Sequence, residues 1–89
     1  MQQDYSSAIQ TFKKITKLNP DYSTAWYNIA CCYALQKNIK EAIAALQKAH
    51  EIDPQGTIMS AKEDSDFEIL NREADFIALL KTQNNSDID

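Results

Sequence analysis

The sequence predicts an all-α chain of antiparallel helix hairpins, stacked right-handedly and closed by C-terminal capping helices. Three observations predict it. Turn formers are scarce, with one Gly and two Pro in 89 residues, and sheets or long loops need more. Apolar residues recur at helical spacing in two adjoining runs. The ending of the second run also occurs 34 residues earlier in the chain, and a fixed period of that size marks stacked helical units.

Taken in order, residues 5–18 are expected to be helical because they copy residues 39–52. Ala8-Ile9 matches Ala42-Ile43, Phe12 matches Leu46, Lys14 matches Lys48, Leu18 matches Ile52, and Asn19-Pro20 matches Asp53-Pro54. Over 24–37, Trp26, Ile29, Ala30 and Tyr33 stand at i, i+3, i+4 and i+7, one face of a helix. Over 39–52, Ile39, Ala42, Ile43, Leu46, Ala49 and Ile52 repeat that spacing. The link Gln36-Lys37-Asn38 is too short for anything but an antiparallel pair. Asn38 with Glu41 fits a reciprocal N-terminal cap. Asp53-Pro54 ends the second helix, because the residue before a proline avoids the α conformation. Beyond residue 56 the period breaks, with nothing matched to Trp26 or Tyr33. Residues 57–62 are expected to add one or two turns. Ser65 with Glu68 fits the cap of a short helix over 66–71, and Phe76, Ile77, Leu79 and Leu80 suit a helix from about 73 to 83. Residues 84–89 are polar and expected to fray.

Trp26, Ile29-Ala30, Tyr33, Ala42, Leu46, Ala49 and Pro54 stand at the spacing of a tetratricopeptide repeat, and residues 23–56 resemble one over its whole length. Residues 1–22 resemble the second half of a preceding repeat, with Ile15 where a small Ala is usual. Residues 57–83 resemble the closing segment that follows the last repeat in such arrays. The physical logic stands without the resemblance. Ala30, Ala42 and Ala49 are small enough for helices to approach closely, and Trp26, Tyr33 and Leu46 fill the space between. Trp26→Ala is then expected to cost about 3–5 kcal/mol.

Composition sets limits on function. A chain this short forms one domain with a small core and little room for a deep catalytic pocket. The net charge is −4. Residues 1–50 carry six Lys against three acids, and residues 51–89 carry three basic residues against ten acids. That balance argues against nucleic acid, which needs a basic face. No run of about 18 apolar residues is present, so no membrane span is expected. The N-terminal residues lack the pattern of a secretory signal. Cys31 and Cys32 are adjacent and point about 100° apart on a helix, so free thiols in the cytoplasm or another reducing compartment are expected.

The resemblance implies a scaffold that binds a protein or peptide along the concave face of its first helices. Here that face, opposite Trp26, Ile29 and Tyr33, offers Thr24, Tyr27, Asn28, Cys31, Ala34 and Leu35. Tyr27, Cys31 and Leu35 form a mildly apolar stripe, read either as a partner surface or as a face covered by the closing helices. Some members of the family grip chaperone tails through Lys, Arg and Asn. Asn28 falls at one such place, but helix 24–37 carries no cation before Lys37, so chaperone tails are not expected partners. The stripe Tyr5, Ala8, Ile9, Phe12 and Ile15 lacks one flanking helix. It is left for a preceding repeat, for a second copy paired through Ile9 and Phe12, or for another protein. No catalytic residue, cofactor or metal is expected. His50 and Cys31 have no oxyanion donors beside them, and the cysteines lack a zinc spacing. Asp64, Asp66 and Glu68 lack the Gly and closing Glu of a calcium loop.

Overall fold

The computed structural model describes residues 4–81. They form five α-helices: α1 (Tyr5–Leu18), α2 (Ser23–Leu35), α3 (Ile39–Ile52), α4 (Pro54–Glu63) and α5 (Ala74–Lys81), with a 3-10 segment Ser65–Leu70 before the last. No strand occurs among the described residues. The first three helices fall where the periodicity puts them, and α1 and α3 are offset by the 34-residue period at both ends. Their closing residues share a backbone conformation, Asn19 at φ −133° and Asp53 at φ −140°. The expected tail 84–89 and the last turn of helix 73–83 lie outside the described residues.

The turn between α2 and α3 is set by Lys37, which sits at φ 67°. Its N–H donates to the Ala34 carbonyl and the Asn38 N–H to the Tyr33 carbonyl, both at 2.9 Å. These two bonds satisfy the carbonyls that end α2, in the pattern that usually employs glycine at the left-handed position. Asn38 begins α3 but does not cap it with its side chain as expected. Its Nδ2 donates instead to Gln36 Oε1 at 3.1 Å, so the reciprocal cap with Glu41 is not formed.

α2 carries no charged residue. It packs along α1 on one side and α3 on the other. Ala30, Ala42, Leu46 and Ala49 are fully buried, which supports the close-approach reading of the small residues. Trp26 is only half-buried. Its indole N–H donates to the Pro20 carbonyl at 2.9 Å, tying α2 to the preceding turn. Its truncation should therefore cost less than the range expected for a fully buried ring.

The second half departs most from expectation. Pro54 ends α3 and also starts α4, occupying a first-turn position where its missing N–H costs nothing. The Asp53 carboxylate caps α4 by accepting from the Gly56 N–H at 3.1 Å. The segment after α4 is a 3-10 turn capped by Asp64, which accepts from the Asp66 N–H at 3.0 Å, not a helix capped by Ser65. Phe67 stands one period after Tyr33, so the aromatic place is kept while Ser60 takes that of Trp26. Phe67 and Leu70 are among the most deeply buried side chains. With Ile58, Phe76 and Leu79 they extend the core over the end of the α2–α3 pair.

Candidate functional site

The concave side of α2 presents Thr24 exposed, Tyr27, Asn28 and Cys31 half-buried, and Leu35 exposed. Ala34, expected on the same face, is instead in the core at 3% exposure. The 3-10 segment crosses the middle of this face. The Tyr27 hydroxyl donates to Asp64 Oδ2 at 2.9 Å, and the Cys31 thiol points to the same oxygen at 3.7 Å. Phe67 meets the Tyr27 ring edge-on, with centroids 5.4 Å apart. The chain's own closing segment thus covers the Tyr27–Cys31 part of the expected stripe.

What stays open is the N-terminal end of that face. A cleft of about 190 Å³ lies between α2 and α4, lined by Ser23, Thr24, Tyr27, Asp53, Gly56, Thr57 and Ser60. Two of the five expected binding residues, Thr24 and Tyr27, are in its wall. Leu35 lies at the far end of α2, away from this cleft. Asp53, Gly56, Thr57 and Ser60 are additions to the expected set, because α4 was not expected to start at Pro54. The lining is rich in hydroxyls and contains no Lys or Arg. It can donate to and accept from an extended backbone, but offers no cation for a terminal carboxylate.

Cys31, Asp64 and Asp66 bring one sulfur and two carboxylates within 4.8 Å of one another. Sequence reading missed this grouping because Cys31 and Asp64 are 33 residues apart. The cluster acts as a hydrogen-bonded latch, with Asp64 taking the Tyr27 hydroxyl, the Cys31 thiol and the Asp66 N–H. Burial, reinforced by Asp64 and Asp66, pushes the Cys31 thiol far above its ordinary range. Burial and the bond to Asp64 do the same to Tyr27. Burial, then the charge of Asp64, raises the Asp66 carboxyl. A thiol held protonated is a poor nucleophile. His50 lies in a different hollow, with Gln47, Glu51, Asp75, Ala78 and Leu79, so it is not the partner of Cys31.

On α1, Ile9 is 6% exposed and part of the core, so it cannot serve the open contact expected of it with Phe12. Phe12 is half-buried. The cause is α2, which packs against the Ile9 side of α1.

Two tetratricopeptide repeat models match the sequence, one over residues 23–55 and one over residues 2–22. The chain belongs to the tetratricopeptide repeat family. The first match spans α2 and α3, and the second spans α1. Tetratricopeptide repeats generally mediate protein–protein interaction, and the family is a non-catalytic interaction scaffold. A chloroplastic protein from Arabidopsis thaliana is 30% identical over 80 residues, which cover 86% of this chain and 24% of that protein. The chain therefore spans about a quarter of the length of that relative. No solved structure matches it significantly. Among the described residues, no helix is long and apolar enough to cross a membrane.

Proposed function

We propose that this tetratricopeptide-repeat chain is a non-enzymatic module for complex assembly, acting in a reducing compartment. It binds an extended segment of a partner protein in the cleft between α2 and α4. The observation that carries this reading is the open, hydroxyl-lined cleft between α2 and α4, with Thr24 and Tyr27 in its wall. Asn28, one turn along from Thr24, extends the polar surface. Cys31 and Leu35 belong to the same helix face, but Cys31 contributes by fixing the closing segment and Leu35 by adding apolar surface at the far end. The partner segment is not a chaperone tail, since a carboxylate there would lose the cation that normally holds it. Free thiols at Cys31 and Cys32 fit a reducing environment.

The test is selection of peptides from a random display library on the immobilised chain, followed by affinity measurement on two variants. Ser60→Arg places a long cation in the cleft wall and should weaken binding at least about tenfold. Met59→Asp changes an exposed side chain that is not in the lining and should leave affinity intact. If the selected peptides tolerate Ser60→Arg and fail on Met59→Asp, or if none are selected, the cleft is not the site.

A further inference from the structure

The cleft between α2 and α4 has a sign. Among the described residues that line it, Asp53 alone is charged. Asp53 Oδ1 accepts from the Gly56 N–H at 3.1 Å, and Oδ2 has no hydrogen-bond partner among the described residues. A carboxylate only accepts, so Oδ2 is open to a donor. Tyr27, in the same lining, is committed in the same sense. A phenol has one proton, and that of Tyr27 is given to Asp64 Oδ2 at 2.9 Å. Toward anything else, the Tyr27 oxygen is an acceptor. The hydroxyls of Ser23, Thr24, Thr57 and Ser60 can turn to either role. The two groups whose role is fixed both require a donor.

The charge around the cleft agrees. α2 brings none. Residues 53–71, which hold α4 and the 3-10 segment, carry Asp53, Glu63, Asp64, Asp66 and Glu68 against Lys62. Lys62 lies in another hollow, with Glu63, Asp64 and Glu68. Asp64 stands behind the Tyr27 hydroxyl, and its carboxylate lies within 4.8 Å of that of Asp66. The feature that favours an anion is the start of α2, where the N-cap Tyr22 makes no side-chain hydrogen bond. The Ala25 N–H is already given to the Tyr22 carbonyl at 3.1 Å, which leaves those of Ser23 and Thr24. A helix N-terminus is equivalent to about half a positive charge. Asp53 brings a full negative one, and Asp64 and Asp66 add to it, so the balance favours a cation.

We infer that the cleft takes a basic side chain, Lys or Arg, of the partner's extended segment, with the charged head paired to Asp53. This rests on the cleft being the binding site, and it adds what the bound segment must carry. Size agrees with one long side chain. The cleft measures about 190 Å³, below the about 300 Å³ at which pockets for whole small molecules begin. The stem lies along the lining while the head keeps its hydrogen bonds.

The probes are the peptides that display selection returns on the 89-residue chain, each paired with a version in which every Lys and Arg is replaced by Gln. A basic residue is expected to recur at one position of the selected peptides. The Gln versions bind at least about tenfold more weakly at low salt, and the gap narrows at high salt. Asp53→Asn removes the charge and keeps the cap of α4, since Asn and Asp cap equally well. It leaves the urea midpoint unchanged, weakens the basic peptides about tenfold and leaves their Gln versions as they were. The Gln comparison on the unaltered chain reads the same pairing without touching the fold. Peptides that Ser60→Arg displaces, but that carry no basic residue or bind Asp53→Asn equally well, overturn the inference and leave the cleft as the binding site. Peptides that Ser60→Arg leaves bound, or the return of none, overturn both.

Discussion

Lys37 shows how one residue carries a local cost for the sake of a turn. Its left-handed backbone disfavours any side chain by about 1–2 kcal/mol, a penalty glycine escapes. Lys37→Gly should therefore raise unfolding stability by up to about 1 kcal/mol, read from urea denaturation, with the antiparallel hairpin unchanged. Tyr27 and Cys31 make a second residue-scale prediction. Both hold their protons more firmly when folded than when unfolded. Where the folded state keeps protons that the unfolded state loses, stability falls as pH rises. Stability from these groups is thus complete below the ordinary thiol range and declines as pH climbs through about 9 and 10. Tyr27→Phe should flatten that alkaline decline in urea titrations run at stepped pH. An unchanged slope would mean that burial and Asp64 do not keep the phenol protonated in the folded chain.

At the scale of elements, the start of α4 rests on its cap. An added Cβ at Gly56 would collide with the Asp53 carboxylate. Asp53→Ala should cost about 1 kcal/mol through loss of the cap, and Gly56→Ala should cost no more, since the carboxylate can swing aside. Fluorescence-monitored denaturation of both variants checks this order. The closing segment rests on Phe67, 1% exposed and packed between Tyr27 and Phe76. Phe67→Ala should cost about 3–5 kcal/mol and expose the Cys31 thiol to alkylation in the native state. Rapid thiol labelling in that variant, against slow labelling in the parent chain, is the expected result.

The same elements show what could be read in advance. α1, α2 and α3 were legible because their apolar residues repeat within a few turns, and that signal is local. Of α4 only the turns over 57–62 were legible and not its start at Pro54, since Ile58 and Ala61 are its only buried apolar residues. The 3-10 segment follows a spacing of three, which helical periodicity does not register. Thr24 and Tyr27 could be placed on the concave face from position alone. The bond from Tyr27 to Asp64 spans 37 residues and depends on how the chain doubles back after α4. The one available hint was Phe67, 34 residues after Tyr33, where the array's aromatic place recurs.

At the scale of the whole molecule, one hairpin carries an open edge at each end of the repeat. Beyond α3, the chain closes its own edge with α4, the 3-10 segment and α5. Before α2, among the described residues, α1 leaves Phe12 and Ile15 half-buried and Leu18 exposed. Between the two lies the uncharged first helix, whose concave side is part latch and part cleft. The proposed partner segment occupies that cleft rather than the latched middle of the face. Paramagnetic relaxation from a nitroxide on a library-selected peptide tests this most directly. The expected result is broadening of the Thr24, Thr57 and Ser60 amides, with Leu35 and α1 spared. Broadening centred on Leu35 or on α1, with Thr57 and Ser60 untouched, would contradict it.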